Sequence, residues 1–152
     1  MSGVWGTDDQ AAFEPENAVI IVVGAHLDAE REDRPIAYAL RERVRARLSR
    51  GRDAAVCTDV WYLNNDNLRA LPTISIGPPR VNALAAYLAD RLPSVFVVDD
   101  RCIVQADFEH DEPAASCWGV GTRQTIAAVE VFASRFLDEF MRRHALLADA
   151  EG

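Results

Sequence analysis

A run of β-branched residues near the start of the chain limits its possible folds more than any other feature. Residues 18–24 read Ala-Val-Ile-Ile-Val-Val-Gly, without the alternation of polar and apolar residues typical of a strand that has one face in water. Such a run predicts a central strand buried on both faces, and parallel sheets covered by helices contain strands of this kind. The sequence therefore predicts an α/β fold.

Strand patterns and helix patterns then alternate along the chain. Further strands are predicted at residues 54–63, 73–76, 95–98 and 102–108, and the last two are close enough for a tight hairpin. Helices are predicted from Pro35 to Gly51, from about Val81 to Pro93 and from about Thr122 to about Ala148. This order predicts a three-layer, Rossmann-like fold, in which a mostly parallel sheet of about five strands has an antiparallel edge hairpin and helices on both faces.

Length and hydropathy indicate one soluble domain. The 152 residues suit a single core, so we expect one α/β domain at residues 18–148 after an acidic N-terminal extension at residues 1–17. Residues 1–17 lack the basic and apolar regions of a secretory leader, and no charge-free apolar stretch could cross a membrane. We therefore expect a cytoplasmic protein without membrane contact.

The charged residues and cysteines exclude several classes of function. The formal net charge is 16 minus 24, or −8, which would repel nucleic acid. Lysine is absent, so a Schiff-base lysine or a phosphate-loop lysine is excluded. Three scattered cysteines do not suit a disulfide framework or a zinc site, and no Gly-x-Gly-x-x-Gly follows the first strand. We expect no cofactor and no metal.

The parallel sheet predicts where a ligand would bind. In open sheets of this kind, ligands bind outside the carboxyl ends of the strands, so the residues that follow the first three strands should meet at one edge. The residues predicted to bind a ligand there are Gly24, Asp28, Asn64, Asn65, Gly77, Arg80 and Asn82.

Two residues are predicted to carry chemistry at that edge. His26 follows the central strand and could act as a general base or bind a metal with neighbouring carboxylates, or it could be an ordinary polar loop residue. Asp59 lies within the predicted second strand and could bind a hydroxyl of a ribose-like ligand, or it could hold Asn64 or an arginine.

The turn after the third strand has two interpretations. Backbone donors at the start of the next helix, together with Arg80, could bind an anion, but Pro78 and Pro79 remove two amide donors. In the structural interpretation Gly77 makes a sharp turn, a proline starts the helix and Asn82 bonds the neighbouring loop.

The same stretch carries a family resemblance. Residues 74–82 read Ile-Ser-Ile-Gly-Pro-Pro-Arg-Val-Asn and resemble the strand, Gly-Gly-Pro-x-x-Asn turn and helix of S-layer-like C-terminal regions. Pro78 departs from the second glycine of that pattern. Trp118-Gly119, followed by Thr125 and by Ala127-Ala128, provides a second short match. The resemblance implies a structural or cell-surface module and carries over no catalytic residue, whereas the missing leader argues against export.

Three further groups of residues invite a chemical role. Asp99 and Asp100 could bind Mg²⁺ but suit a hairpin turn, and residues 107–112 form another acidic cluster that contains His110. Cys117 precedes the last helix and could be an activated thiolate or a buried thiol.

Two functions of different classes remain open. The first is a domain that binds, and could hydrolyse, a small polar or anionic, nucleoside-like ligand at the carboxyl edge of the sheet. The second is a non-catalytic module that forms a homodimer or larger homo-oligomer through residues 61–63 or through the aromatic face of the last helix. Exposed aromatic side chains would favour the second function, and a concave edge containing His26 and Asp59 would favour the first.

Overall fold

The computed structural model of the protein describes residues 17–148, so the predicted acidic extension lies outside the described residues apart from Asn17. The strands are β1 (Ala18–Val23), β2 (Asp53–Thr58), β3 (Thr73–Ile76), β4 (Ser94–Val98), β5 (Cys102–Ala106) and β6 (Ala114–Gly119). The α-helices are α1 (Leu27–Glu32), α2 (Arg34–Arg45), α3 (Asp59–Leu63), α4 (Ala83–Ala89), α5 (Thr122–Val131) and α6 (Leu137–Arg143). A 3-10 helix spans Asp66–Ala70, and a π-helical segment, Phe132–Phe136, joins α5 to α6.

The strands of residues 17–148 form one six-stranded sheet in the order β2-β1-β3-β6-β5-β4. β1 pairs in parallel with β2 and with β3, and β3 pairs in parallel with β6. β5 is antiparallel to both β6 and β4. β1 pairs with β2 along its whole length, from Ala18 opposite Asp53 to Val23 opposite Thr58. The mostly parallel α/β sheet is therefore confirmed, with β1 inside it, but the prediction of about five strands is wrong.

Alternate residues of β1 enter two separate cores, one on each face of the sheet. Val19, Ile21 and Val23 pack with residues of α2, α5 and α6. Ala18, Ile20 and Val22 pack with residues of α3 and α4. Burial on both faces explains why β1 contains no polar residue, because an unpaired polar side chain in either core would lose its hydration.

The structure differs from the prediction at β2, at β6 and at the last helix. β2 ends at Thr58 rather than residue 63, because the Thr58 hydroxyl accepts the Trp61 N–H and caps α3. β6 was not predicted, since Ala-Ala-Ser-Cys-Trp-Gly has few residues that favour strands. The helix predicted to reach Ala148 instead ends at Arg143 and contains the π-helical segment.

Candidate functional site

The carboxyl ends of β1, β2 and β3 lie side by side, because β1 pairs in parallel with both neighbours. The loops that follow these strands surround an open depression of about 550 Å³, here called the rim depression. Its walls include His26 after β1, Asp59 after β2, and Arg80 and Asn82 after β3. The structure therefore brings these four residues together at one edge of the sheet.

The rim depression lies where the chain leaves neighbouring strands in opposite directions. The chain leaves β1 toward α2, which packs on one face of the sheet, and it leaves β3 toward α4, which packs on the other face. The two loops therefore diverge between β1 and β3. Such switch points are where open α/β sheets form ligand crevices.

His26 caps the short helix α1. Its Nδ1 accepts the Asp28 N–H at 3.1 Å, and the side chain is 53% exposed. The Asp28 carboxylate lies 3.9 Å from the same nitrogen. The Nε2 atom has no hydrogen-bond partner among residues 17–148, so it can contact a ligand from the rim depression.

Asp59 is not inside a strand, as its sequence position suggested, but is the first residue of α3. The side chain is buried, and its carboxylate accepts three backbone N–H groups: Ala25 at 2.9 Å, Val60 at 2.7 Å and Ala83 at 2.7 Å. These donors belong to the segments that follow β1, β2 and β3, namely the loop after β1 and the first turns of α3 and α4. Asp59 therefore ties the rim together, and its oxygens already bind the amide donors that could otherwise bind an anion.

Asn82 is a second structural anchor. It is fully buried at the start of α4, where its Oδ1 accepts the N–H groups of Leu84 and Ala85. Its Nδ2 lies within hydrogen-bond distance of the Ile76 carbonyl oxygen, at 2.9 Å, and of the Ser75 hydroxyl, at 3.2 Å. This arrangement matches the structural interpretation of the turn, because Asn82 fixes α4 to the end of β3.

Gly24 and Gly77 allow a close approach of backbone at this edge. A Cβ on Gly24 would overlap the Val81 carbonyl oxygen. Gly77 has a φ of 109° and lies against the Asp33 carboxylate, which would be 2.5 Å from a Cβ at that position. At both of these predicted ligand-binding positions, the backbone requires a residue without a Cβ.

Asn64 and Asn65 are not part of the rim depression. They lie at the end of α3, where their side-chain amides donate to the carbonyl groups of Val60 at 2.9 Å and Trp61 at 2.7 Å. These bonds close the last turn of the helix. The structure therefore separates the two asparagines from His26.

Arg80 is the exposed cation of the rim. Its guanidinium group makes no hydrogen bond and no ion pair within 4 Å to any of residues 17–148. Arg80 and Val81 also line a narrow space of about 10 Å³, here called the Asp33 crevice. The other walls are Asp28, Glu32, Asp33, Pro78, Gly121, Thr122 and Thr125.

The sequence interpretation missed Asp33. The side chain is 4% exposed, and its carboxylate has no hydrogen-bond partner among residues 17–148. Burial, with a smaller contribution from the Glu32 carboxylate and opposed by the Arg80 charge, raises the pKa of Asp33 from 3.8 to about 6. Asp33 precedes Arg34 and Pro35, a typical position for an N-cap residue, but its side chain makes no capping hydrogen bond, so the local pattern does not indicate its role.

Other candidate groups have ordinary structural roles. Asp99 and Asp100 have φ angles of 54° and 55° and form the hairpin turn between β4 and β5. Among residues 17–148, no group of three or more His, Cys, Asp and Glu side chains is arranged to hold a metal ion. Cys117 is fully buried, and burial raises the pKa of its thiol, which does not suit a nucleophile.

His110 lies away from the rim depression. It follows β5, the antiparallel strand, and its Nδ1 is 2.9 Å from an Asp107 carboxylate oxygen. The hydrogen bond to Asp107 raises the pKa of this exposed imidazole. His110 and His26 do not line a common cavity among those of residues 17–148.

No protein-family model matches the chain, and neither a curated protein nor a solved structure matches it. The resemblance to S-layer-like C-terminal regions therefore stays a prediction. In residues 17–148, every helix is too short or too polar to cross a membrane.

Proposed function

We propose that the domain is of the three-layer, Rossmann-like kind and binds a small polar molecule with an anionic group in the rim depression. The observation that carries this proposal is the placement of Arg80. Arg80 lines a depression at the switch point between β1 and β3, and its guanidinium makes no ion pair within 4 Å to residues 17–148. A guanidinium of this kind can bind a carboxylate or phosphate through two parallel hydrogen bonds.

The other walls of the depression suit a small organic molecule. Val60, Pro79, Ala83 and Ala86 provide apolar surface, and His26 offers its Nε2 atom. The volume of about 550 Å³ is within the ordinary range for small-molecule sites. A nucleoside-like ligand could place a flat ring on the apolar wall and an anionic group near Arg80.

We propose binding rather than hydrolysis. Asp59 and His26, the two residues predicted to be catalytic, are not equally free to contact a ligand. The Asp59 oxygens accept three amide N–H groups, whereas the His26 Nε2 has no hydrogen-bond partner among residues 17–148. The His26 Nδ1 accepts the Asp28 N–H, which leaves the ring proton on Nε2, so the free ring nitrogen donates a hydrogen bond and does not act as a general base. Asp59 is assigned to positioning the loops around the ligand.

The homodimer alternative has less support. Phe132 and Phe140 of the last helix are buried in the core of the same chain, as is Tyr62. Trp61 is partly buried and packs against the core on the face of the sheet covered by α3 and α4. The aromatic groups expected to bind a partner are therefore used inside the domain.

A titration followed by ¹H–¹⁵N NMR tests the proposal. Adenosine monophosphate and inorganic phosphate are the probes, and we expect the largest shifts at the amides of Ala25, Val60 and Arg80. Arg80→Ala should weaken binding by roughly 10- to 100-fold, since a hydrogen bond to a charged group contributes about 1.5–3 kcal/mol. Arg50→Ala, which removes an exposed arginine outside the depression, is the matched control. Equal affinity of the Arg80→Ala variant and the wild type would refute this site.

A further inference from the structure

Asp33 is an unusual carboxyl group because it is buried without a hydrogen-bond partner among residues 17–148. Most buried polar groups are hydrogen-bonded, and those that are not need a functional or structural reason. The backbone of Asp33 is paired, since its N–H donates to the Ala29 carbonyl and its own carbonyl accepts the Ala37 N–H. The side-chain carboxylate, which lines the Asp33 crevice, makes no hydrogen bond to residues 17–148.

The charges around the crevice are unbalanced. Carboxylates face it from α1, at Asp28 and Glu32, and from Asp33 between α1 and α2. The loop after β3 contributes one cation, Arg80, while α5 contributes the hydroxyl of Thr122, which donates to Glu32 at 2.6 Å. The Arg31 guanidinium pairs with Asp28 at 3.1 Å and with Glu32 at 3.8 Å, whereas Asp33 makes no ion pair within 4 Å to residues 17–148. A ligand with a positive group would provide that missing partner.

We propose that Asp33 selects the ligand of the carboxyl edge by accepting hydrogen bonds from its ammonium group, while Arg80 binds the anionic group of the same molecule. This inference rests on the proposed function and narrows the ligand to a small zwitterion of the amino acid kind. Arg80 lines both the rim depression and the Asp33 crevice, so one molecule at Arg80 can reach Asp33.

The size and composition of the crevice favour an ammonium group. A volume of about 10 Å³ admits one water-sized group, such as an ammonium or a hydroxyl. The unpaired Asp33 carboxylate favours the cationic group over the neutral one. A divalent metal is disfavoured, because no cluster in residues 17–148 has the side-chain arrangement to hold one.

Protonation of Asp33 should control this binding. With a pKa of about 6, the carboxyl is charged at pH 7.5 and mostly neutral at pH 5. If the charged form alone binds an ammonium group, affinity should fall roughly tenfold between these two pH values. Asp28, Glu32 and Arg80 face the same crevice, and Arg31 pairs with both of these carboxylates.

Calorimetry and NMR titration of the full chain with L-alanine and with propionate test the inference. The two probes differ in the ammonium group alone, and wild type should bind L-alanine at least tenfold more tightly than propionate at pH 7.5. Asp33→Asn, which keeps the shape of the side chain, should remove that preference. Glu30→Gln should retain it, because Glu30 is on α1 but does not line the crevice. An NMR spectrum of each free variant checks that the fold is intact.

The outcomes separate this inference from the proposed function. A preference for L-alanine that disappears in Asp33→Asn and weakens at pH 5 supports it. A preference that survives in Asp33→Asn overturns it. Equal binding of L-alanine and propionate, still dependent on Arg80, overturns the role of Asp33 while the proposed function stands. Absence of shifts at the rim with these probes and with adenosine monophosphate and phosphate would overturn both.

Discussion

The carboxylate of Asp59 accepts the backbone N–H of Ala83, with 2.7 Å between nitrogen and oxygen. This bond links the end of β2 to the start of α4, which are 24 residues apart in the chain. Bonds from Ala25 and Val60 to the same carboxylate add the loop after β1 and the first turn of α3. One buried side chain thereby fixes the spacing of the loops around the rim depression.

Replacement of Asp59 by alanine should destabilise the domain. The change leaves three amide donors without their acceptor, and we expect a loss of about 3 kcal/mol in the free energy of unfolding. Urea denaturation followed by circular dichroism measures this loss. Asp66→Ala is the control, because the Asp66 side chain is 92% exposed and should change stability by less than about 0.5 kcal/mol. A variant as stable as the control would disprove the anchoring role.

Alanine at Gly24 should be similarly damaging, for a steric reason. A Cβ at this position overlaps the Val81 carbonyl oxygen, and backbone on both sides cannot move without shifting β1 from the turn after β3. We expect a loss of about 3 kcal/mol in unfolding free energy. In Gly121→Ala the nearest atom is the Gln124 Oε1, 3.1 Å away on a flexible side chain, so its cost should stay below about 1 kcal/mol. Thermal denaturation compares the two, and equal stability would contradict the overlap.

The cysteines should be unreactive in the folded protein. Cys57 and Cys117 are fully buried, and burial raises the pKa of the Cys57 thiol to about 12. Because the thiolate is the reactive form, their modification by an aromatic disulfide reagent at pH 8 should be at least about 100-fold slower than in urea-unfolded protein. Mass spectrometry of digested samples assigns each site. Rapid labelling of Cys117 would revive the nucleophile hypothesis for this residue.

The sequence predicted the parallel core well because its signals are local and strong. The β-branched run of β1 has no other favourable environment than a strand buried on both faces, and β3 was placed at residues 73–76, where the structure has it. β6 has no such signal, since Ala115 and Ser116 have weak strand preferences. Pairing with β3 and β5 on both sides gives this segment its conformation.

The candidate site could be located from the sequence, but the use of its residues could not. The rule that strand ends meet at one edge placed His26, Asp59, Arg80 and Asn82 together. It could not show that the side chains of Asp59 and Asn82 bond backbone groups distant in the chain, namely the Ala25 N–H and the Val22 carbonyl. Asp33 was missed because its burial depends on contacts with the loop after β3, which no local pattern encodes.

Asp33→Asn should stabilise the protein at neutral pH and leave it unchanged in acid. The pKa of Asp33 is raised from 3.8 to about 6 on folding, so the folded state holds the proton more tightly than the unfolded state. The stabilisation from protonated Asp33 is therefore complete below about pH 4 and is lost as pH rises toward 6, a difference of roughly 2–3 kcal/mol. Asparagine cannot ionise, so the variant should exceed wild type by that amount at pH 7.5, with the gain appearing between pH 4 and 6. Urea midpoints measured at four pH values test this, with Glu30→Gln as the control. A stability difference that does not change with pH would mean that Asp33 titrates normally.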